Sequence, residues 1–117
     1  MKKQRTQKSQ NGNWIKKAPV SITITDKDGT IVDMNEKAIK SFAKDARGEN
    51  LLSCHNEESK EKIKALFDKK NINAYTIEKN GVKKLVYQFP WYEDDEFGGY
   101  VEFSIELPDN LPHFIRK

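Results

Sequence analysis

Cys54 and His55 stand side by side and have the widest chemical range of any residues in this chain. A thiol beside an imidazole suggests a nucleophile with its base. Adjacent residues on a helix do not face one another, however. No oxyanion-stabilising motif accompanies the pair, so no catalytic residue and no enzymatic activity are expected. As a metal site the pair is incomplete, because structural zinc takes four protein ligands and the only other histidine is His113, far along the chain. The lone cysteine also excludes an intramolecular disulfide. Imidazole is a good axial ligand for haem iron, so His55 is a metal ligand only if haem is bound. The run Glu93-Asp94-Asp95-Glu96 could attract a cation but reads better as a solvated turn. No Gly-rich phosphate loop, catalytic triad or kinase signature is present.

The elements that must position these residues follow from periodicity. Val20, Ile22 and Ile24 alternate with Ser21, Thr23 and Thr25, as in a half-buried strand. Asp26-Lys27-Asp28-Gly29 is a turn, and Thr30 to Met34 pairs back as a hairpin. Asn35 caps a short helix whose buried face is Ala38, Ile39 and Phe42. Residues 48–55 form an irregular connector anchored by Leu51 and Leu52. A longer helix runs roughly from Glu57 to Lys69, acidic at its start and basic at its end, as its dipole prefers; its buried stripe is Ile63, Leu66 and Phe67. Three strands follow: Ile72 to Lys79, then Val82 to Tyr92 after the Asn80-Gly81 hairpin turn, then Tyr100 to Leu107. The acidic run with Gly98 and Gly99 is expected to turn the last hairpin. Strands segregate from helices, so the fold class is α+β, with antiparallel neighbours.

Composition bounds the rest. The 117 residues suit one domain. Residues 1–17 carry six cations and no acid, whereas the remainder is slightly acidic despite the overall charge of +3. The boundaries expected are a basic leader over 1–17, disordered or forming an N-terminal helix, a domain over 18–107, and a C-terminal tail over 108–117. The leader has no apolar run before Trp14, so it is not read as a signal peptide. No stretch approaches a membrane span. Cytoplasmic localisation is the default, with neither nucleic acid nor membrane as partner.

This order of elements, with these residues, resembles the PAS superfamily. The matching pieces are Ile22-Thr23-Ile24-Thr25-Asp26, then Asp28-Gly29-Thr30-Ile31-Val32 with Asn35 and Ala38. Gly48-Glu49-Asn50-Leu51-Leu52, Ile77-Glu78-Lys79-Asn80-Gly81 and Gly99-Tyr100-Val101-Glu102-Phe103-Ser104 complete the set. Cys54-His55-Asn56-Glu57 and Leu111-Pro112-His113-Phe114 look like small stand-alone bacterial PAS proteins. The resemblance implies a five-stranded antiparallel sheet in the order 2-1-5-4-3 with helices packed on one face.

It also implies a sensor rather than a catalyst. The chain would bind a small ligand in an apolar pocket and signal through association with an unidentified partner protein. The pocket is expected to gather Ile24, Phe42, Leu52, Cys54, His55, Ile63, Phe67, Tyr75, Tyr87, Phe89 and Phe103. The alternative is a ligand-free dimerisation module, a homodimer joined through the sheet's outer face with Trp14 and Ile15 at the interface. Haem and flavin both occur in such domains, and neither is favoured here. Light-sensing members carry cysteine three residues after the glycine of a Gly-x-Asn-Cys sequence; Leu51 holds that place after Gly48, so a flavin–cysteinyl adduct is not expected. Non-covalent flavin would draw on Tyr87, Gln88 and Trp91. Haem-binding members carry the axial histidine on the long helix, and His55 stands just before it.

Overall fold

The structure, a computed structural model, describes residues 14–53 and 55–117. The alternating β-branched segments form β1 (Ser21–Thr25) and β2 (Ile31–Met34), an antiparallel hairpin. Its turn closes on Asp26, whose Oδ1 accepts hydrogen bonds from the backbone N–H of Asp28 and of Thr30 at 2.9 and 3.0 Å. Helix α1 (Glu36–Phe42) follows. A single 3₁₀ turn over Leu51–Ser53 leads to α2 (Glu57–Lys69). The chain then forms β3 (Asn73–Lys79), β4 (Val82–Glu93) and β5 (Glu96–Leu107). The strands make one antiparallel sheet in the order β2-β1-β5-β4-β3, as expected.

The last hairpin differs from expectation. Only Asp94 and Asp95 turn the chain, with φ of 51° and 71°. Paired positive φ values give the mirror-image turn that matches strand twist, and aspartate tolerates them better than most residues. Gly98 and Gly99 therefore lie inside β5, where the ladder jumps from Tyr92↔Phe97 to Trp91↔Gly99 and leaves Gly98 as the extra residue of a bulge. Both glycines allow close approach. A Cβ on Gly98 would meet the Trp91 ring at 2.4 Å, and one on Gly99 would come 2.1 Å from the Thr25 carbonyl oxygen. The Trp91 Nε1–H donates to that same carbonyl at 2.9 Å.

The apolar core is small and off-centre. Ile31, Met34, Ala38 and Ala46 are buried together, with Ile39 and Leu51 packed against them. Phe42, expected on the same buried face, is 46% exposed. It is the last residue of α1, where Ala43 turns the chain away with φ of 67°, so its ring reaches beyond the core. No residue of α2 is fully buried.

Asn35 binds three segments together. Its Oδ1 accepts from the N–H of Ala38, capping α1, and from the N–H of Ile22 in β1, both at 3.0 Å. Its Nδ2 donates to the carbonyls of Ile15 and Val20 at 2.9 and 2.7 Å. The residue is 3% exposed, so the buried N–H groups of Ile22 and Ala38 would be stranded away from water if the amide were lost. Asn35→Ala is expected to cost about 3 kcal/mol, combining a lost cap with stranded buried groups. Asn35→Asp, which retains the acceptor but not the donor, should cost less than Asn35→Ala. Urea unfolding followed by circular dichroism measures both.

Candidate functional site

Pairing across the sheet assigns each side chain to a face. Thr23 lies opposite Glu102, Glu102 opposite Gln88, and Gln88 opposite Asn73. This row, with Ser21, Ser104, Val86, Tyr75 and Tyr100, looks toward the helices and forms the floor of a cleft of about 1070 Å³. Phe42 of α1 and Ile63, Leu66 and Phe67 of α2 form its roof. The next row, Ile22, Phe103, Tyr87 and Ala74, looks the other way. The inner face is thus rich in hydroxyl, amide and carboxylate groups, and the outer face is apolar.

Of the residues expected in the pocket, Phe42, His55, Ile63, Phe67 and Tyr75 line the cleft. Ile24, Tyr87, Phe89 and Phe103 do not: the register turns them to the opposite face of the sheet. There Phe89 lies between Tyr87 and Phe103, with ring centroids 6.1 and 5.8 Å away. Leu52 does not line the cleft either; its neighbour Leu51 does, at the edge of the core. Cys54 lies outside the described residues. Trp14 is 61% exposed and Ile15 half-buried. The expected pocket was apolar, whereas the floor observed is polar. Glu102 and Ser104 were missed, and Gln88 was named only as a flavin contact, because these residues are the polar half of an alternation read mainly for its apolar half.

The floor is wired by side chains. Asn73 Nδ2 donates to Gln88 Oε1 at 2.8 Å, and Gln88 Nε2 donates to Glu102 Oε1 at 2.6 Å. Tyr75, close by, has its phenol pKa raised, first by burial and then by the negative charge of Glu102. The cation side is supplied by Lys62, Lys69, Lys79 and Lys84, which also line the cleft.

Helix α2 is held over this floor at its two ends. Asn56 caps its start by accepting from the Ser59 N–H at 2.9 Å. His55 Nδ1 lies 2.7 Å from the Leu51 carbonyl oxygen. A carbonyl only accepts, so Nδ1 carries a proton and donates it there. At the other end, the Tyr100 hydroxyl lies 2.7 Å from the Leu66 carbonyl and 2.8 Å from that of Asn71. It has one proton to share between them. Phe67 stacks on Tyr100 with centroids 4.7 Å apart, and Phe97 completes the cluster.

The lining tests the two cofactors directly. Haem would set a broad apolar ring against Ser21, Thr23, Ser104 and the Glu102 carboxylate, whose charge would lose water with only the Gln88 amide to replace it; this floor does not fit it, although His55 lines the cleft. Of Tyr87, Gln88 and Trp91, the set suggested for flavin, only Gln88 faces the cleft. Among the described residues no three His, Cys, Asp or Glu side chains converge on a metal position. No helix among them is long and apolar enough to cross a membrane.

The chain has the PAS fold. The PAS domain of an HTR-like protein from Haloarcula marismortui matches with a TM-score of 0.68 at 14% identity, over 91% of this chain and 96% of that one. The PAS domain of BvgS from Bordetella pertussis matches at 0.62 and 17%, over 89% and 88%. A LOV protein from Rhodobacter sphaeroides matches at 0.60 and 12%, over 89% of this chain and 69% of that one. No protein-family model and no curated protein matches the sequence.

Tyr100 makes a testable latch. Its pKa is raised from 10.0, chiefly by burial and then by the neighbouring Tyr92. A raised acid pKa means that the folded state favours the neutral hydroxyl. That contribution is complete below the unfolded value and disappears as pH climbs through the folded one. Tyr100→Phe should therefore cost roughly 1 kcal/mol at neutral pH. It should also speed amide hydrogen exchange in α2 more than in β4, and its deficit should vanish in strong alkali. Hydrogen-exchange mass spectrometry and alkaline unfolding check these outcomes.

Proposed function

We propose that this PAS-fold chain is a sensory module that binds a small molecule in the cleft between sheet and helices and passes the change to a separate protein. The observation that supports this most is the cleft itself. At about 1070 Å³ it is at the upper end of ordinary ligand sites. Its roof, α2, contributes no fully buried residue, so a ligand would provide the contact area that the helix lacks. Occupancy would then bias α2 between a loosely held and a firmly seated arrangement, a population shift that a partner can read. Among the described residues of the cleft this reading assigns no nucleophile–base pair, and in it the chain acts without catalysis.

A second reading is supported by the outer face. Ile24, Phe89, Val101 and Phe103 are only partly covered there, and Tyr87 is 38% exposed. An apolar sheet face of this kind suits a symmetric homodimer, with Trp14 (61% exposed) and Ile15 as further contacts. The two readings are compatible: a dimer through the outer face leaves the cleft free.

Native mass spectrometry of the purified full chain tests both. A bound small molecule that is absent from Ser104→Trp, where a large ring fills the floor, supports the cleft as a ligand site. A wild-type protein that never retains or takes up a small molecule would sink it. Tyr87→Glu places a charge in the middle of the outer face and should convert a dimer to a monomer in sedimentation. A wild-type chain that is monomeric at high micromolar concentration removes the dimer reading.

A further inference from the structure

Among the described residues Glu102 is the only carboxylate lining the cleft, and it stands on β5, the central strand of the sheet. One oxygen is engaged: Oε1 accepts from Gln88 Nε2 at 2.6 Å. Gln88 is itself held by Asn73, so its amide cannot turn without losing a second hydrogen bond. The other oxygen, Oε2, has no hydrogen bond among the described residues. Among the described residues no buried polar side-chain atom is left unpaired, so Oε2 is not buried and, with Glu102 in the lining, is reachable from the cleft. Among the described residues no ion pair includes Glu102, although four lysines line the same cavity. An ionised carboxylate in a partly sheltered site is stabilised by a cation or by good donors. The surroundings of Glu102 suit a donor with more than one proton. Thr23 lies directly across from it on β1, and Ser21 and Ser104 stand at the next positions of the same face. Their hydroxyls can accept what the carboxylate does not.

The remainder of the lining has a different character. Lys62, which is paired with Glu58 at 3.9 Å, and Lys69 of α2, Lys79 of β3 and Lys84 of β4 outnumber Glu102 in the lining, so the cleft is cationic on balance. A simple cation would meet net repulsion on entry. Phe42, Ile63 and Phe67 offer an apolar roof.

Resting on the reading that this cleft is the ligand site, we propose that it takes a zwitterion with an apolar body. The ammonium group sits on Glu102 and the hydroxyls around it, the anionic group meets the lysines, and the apolar part lies under the helices. A single carboxylate with hydroxyl neighbours is a poor metal site, whereas an ammonium has three donors for this set of acceptors.

Three compounds with one indole body and different charges test this in the full-length chain by calorimetric titration: tryptophan, tryptamine and indole-3-propionate. Tryptophan should bind most tightly, ahead of indole-3-propionate by roughly tenfold, the effect of one charge-assisted hydrogen-bonded contact. Glu102→Gln, nearly the same in shape, should erase that advantage and leave indole-3-propionate unaffected or improved. In wild-type protein labelled with 13C at glutamate carboxyls, the Glu102 signal should move on addition of tryptophan, a readout that needs no variant. Equal binding of tryptophan and indole-3-propionate, no binding of tryptophan at millimolar concentration, or a Glu102 signal that stays still would each overturn the zwitterion. The cleft reading is decided separately: if indole-3-propionate binds regardless of Glu102 and Ser104→Trp blocks it, the cleft remains a ligand site and only the ligand class is wrong.

Discussion

β5 is hydrogen-bonded to β1 on one side and to β4 on the other, so one register decides the face on which every residue of the three strands falls. Tyr100, Glu102 and Ser104 go to the helices, while Val101, Phe103 and Ile105 go to the open side. A slip of one residue would exchange these sets, burying the aromatic row beneath the helices and exposing the carboxylate. The register is pinned where β5 passes β1 most closely. Gly99 has no Cβ to push away the Thr25 carbonyl, and the Trp91 indole is bonded to that carbonyl over Gly98. The bulge and the ring together leave the strand one position in which to lie.

With a polar face turned inward, the helices cannot be held by a broad hydrophobic contact. The buried cluster is confined to β2, α1 and the segment after it, and that end of the molecule is firm: Asn35 joins the chain near Ile15 to β1 and α1. The residues of α2 lie farther from any core. Its place depends on end effects, with His55 bonded to the Leu51 carbonyl just before its N-terminus and Tyr100 with Phe67 at its C-terminus. An element attached by its ends rather than its face is the one expected to open first. The fold is thus firm at one end and lightly held over the cleft at the other, the asymmetry on which the proposed ligand response would draw.

Much of this was legible from the residues. Ile22-Thr23-Ile24-Thr25 declared its strand, Asn35 its cap, and the acidic start and basic end of Glu57–Lys69 a helix whose bounds match the structure. The sheet order followed from the resemblance and was met by the pairing. The site was less legible. Period two tells which residues share a face but not which face looks inward. Tyr87, Phe89 and Phe103 were assigned to the pocket on the assumption that the more apolar set must be interior. In a sheet with a cleft on one side that assumption has no force, since the inner face borders an open cavity and need not be apolar. The pair Gly98-Gly99 misled for a related reason: glycines serve turns, but they also serve close approaches inside strands, and only the neighbouring carbonyl and indole reveal which.

The polar floor also bears on how the molecule responds to temperature. Unfolding raises heat capacity through the apolar surface it exposes and lowers it through the polar surface. A domain whose sheet already shows an apolar face to solvent, and whose interior cleft is lined by hydroxyl, amide and carboxylate groups, releases little new apolar surface when it melts. Its heat-capacity increment should fall below the common ~12–15 cal/mol/K per residue. The stability curve of such a molecule is broad and shallow, so cooling weakens it little. Covering the outer face or filling the cleft would steepen the curve, and the curvature of a melting profile would thus record how much of this surface is occupied.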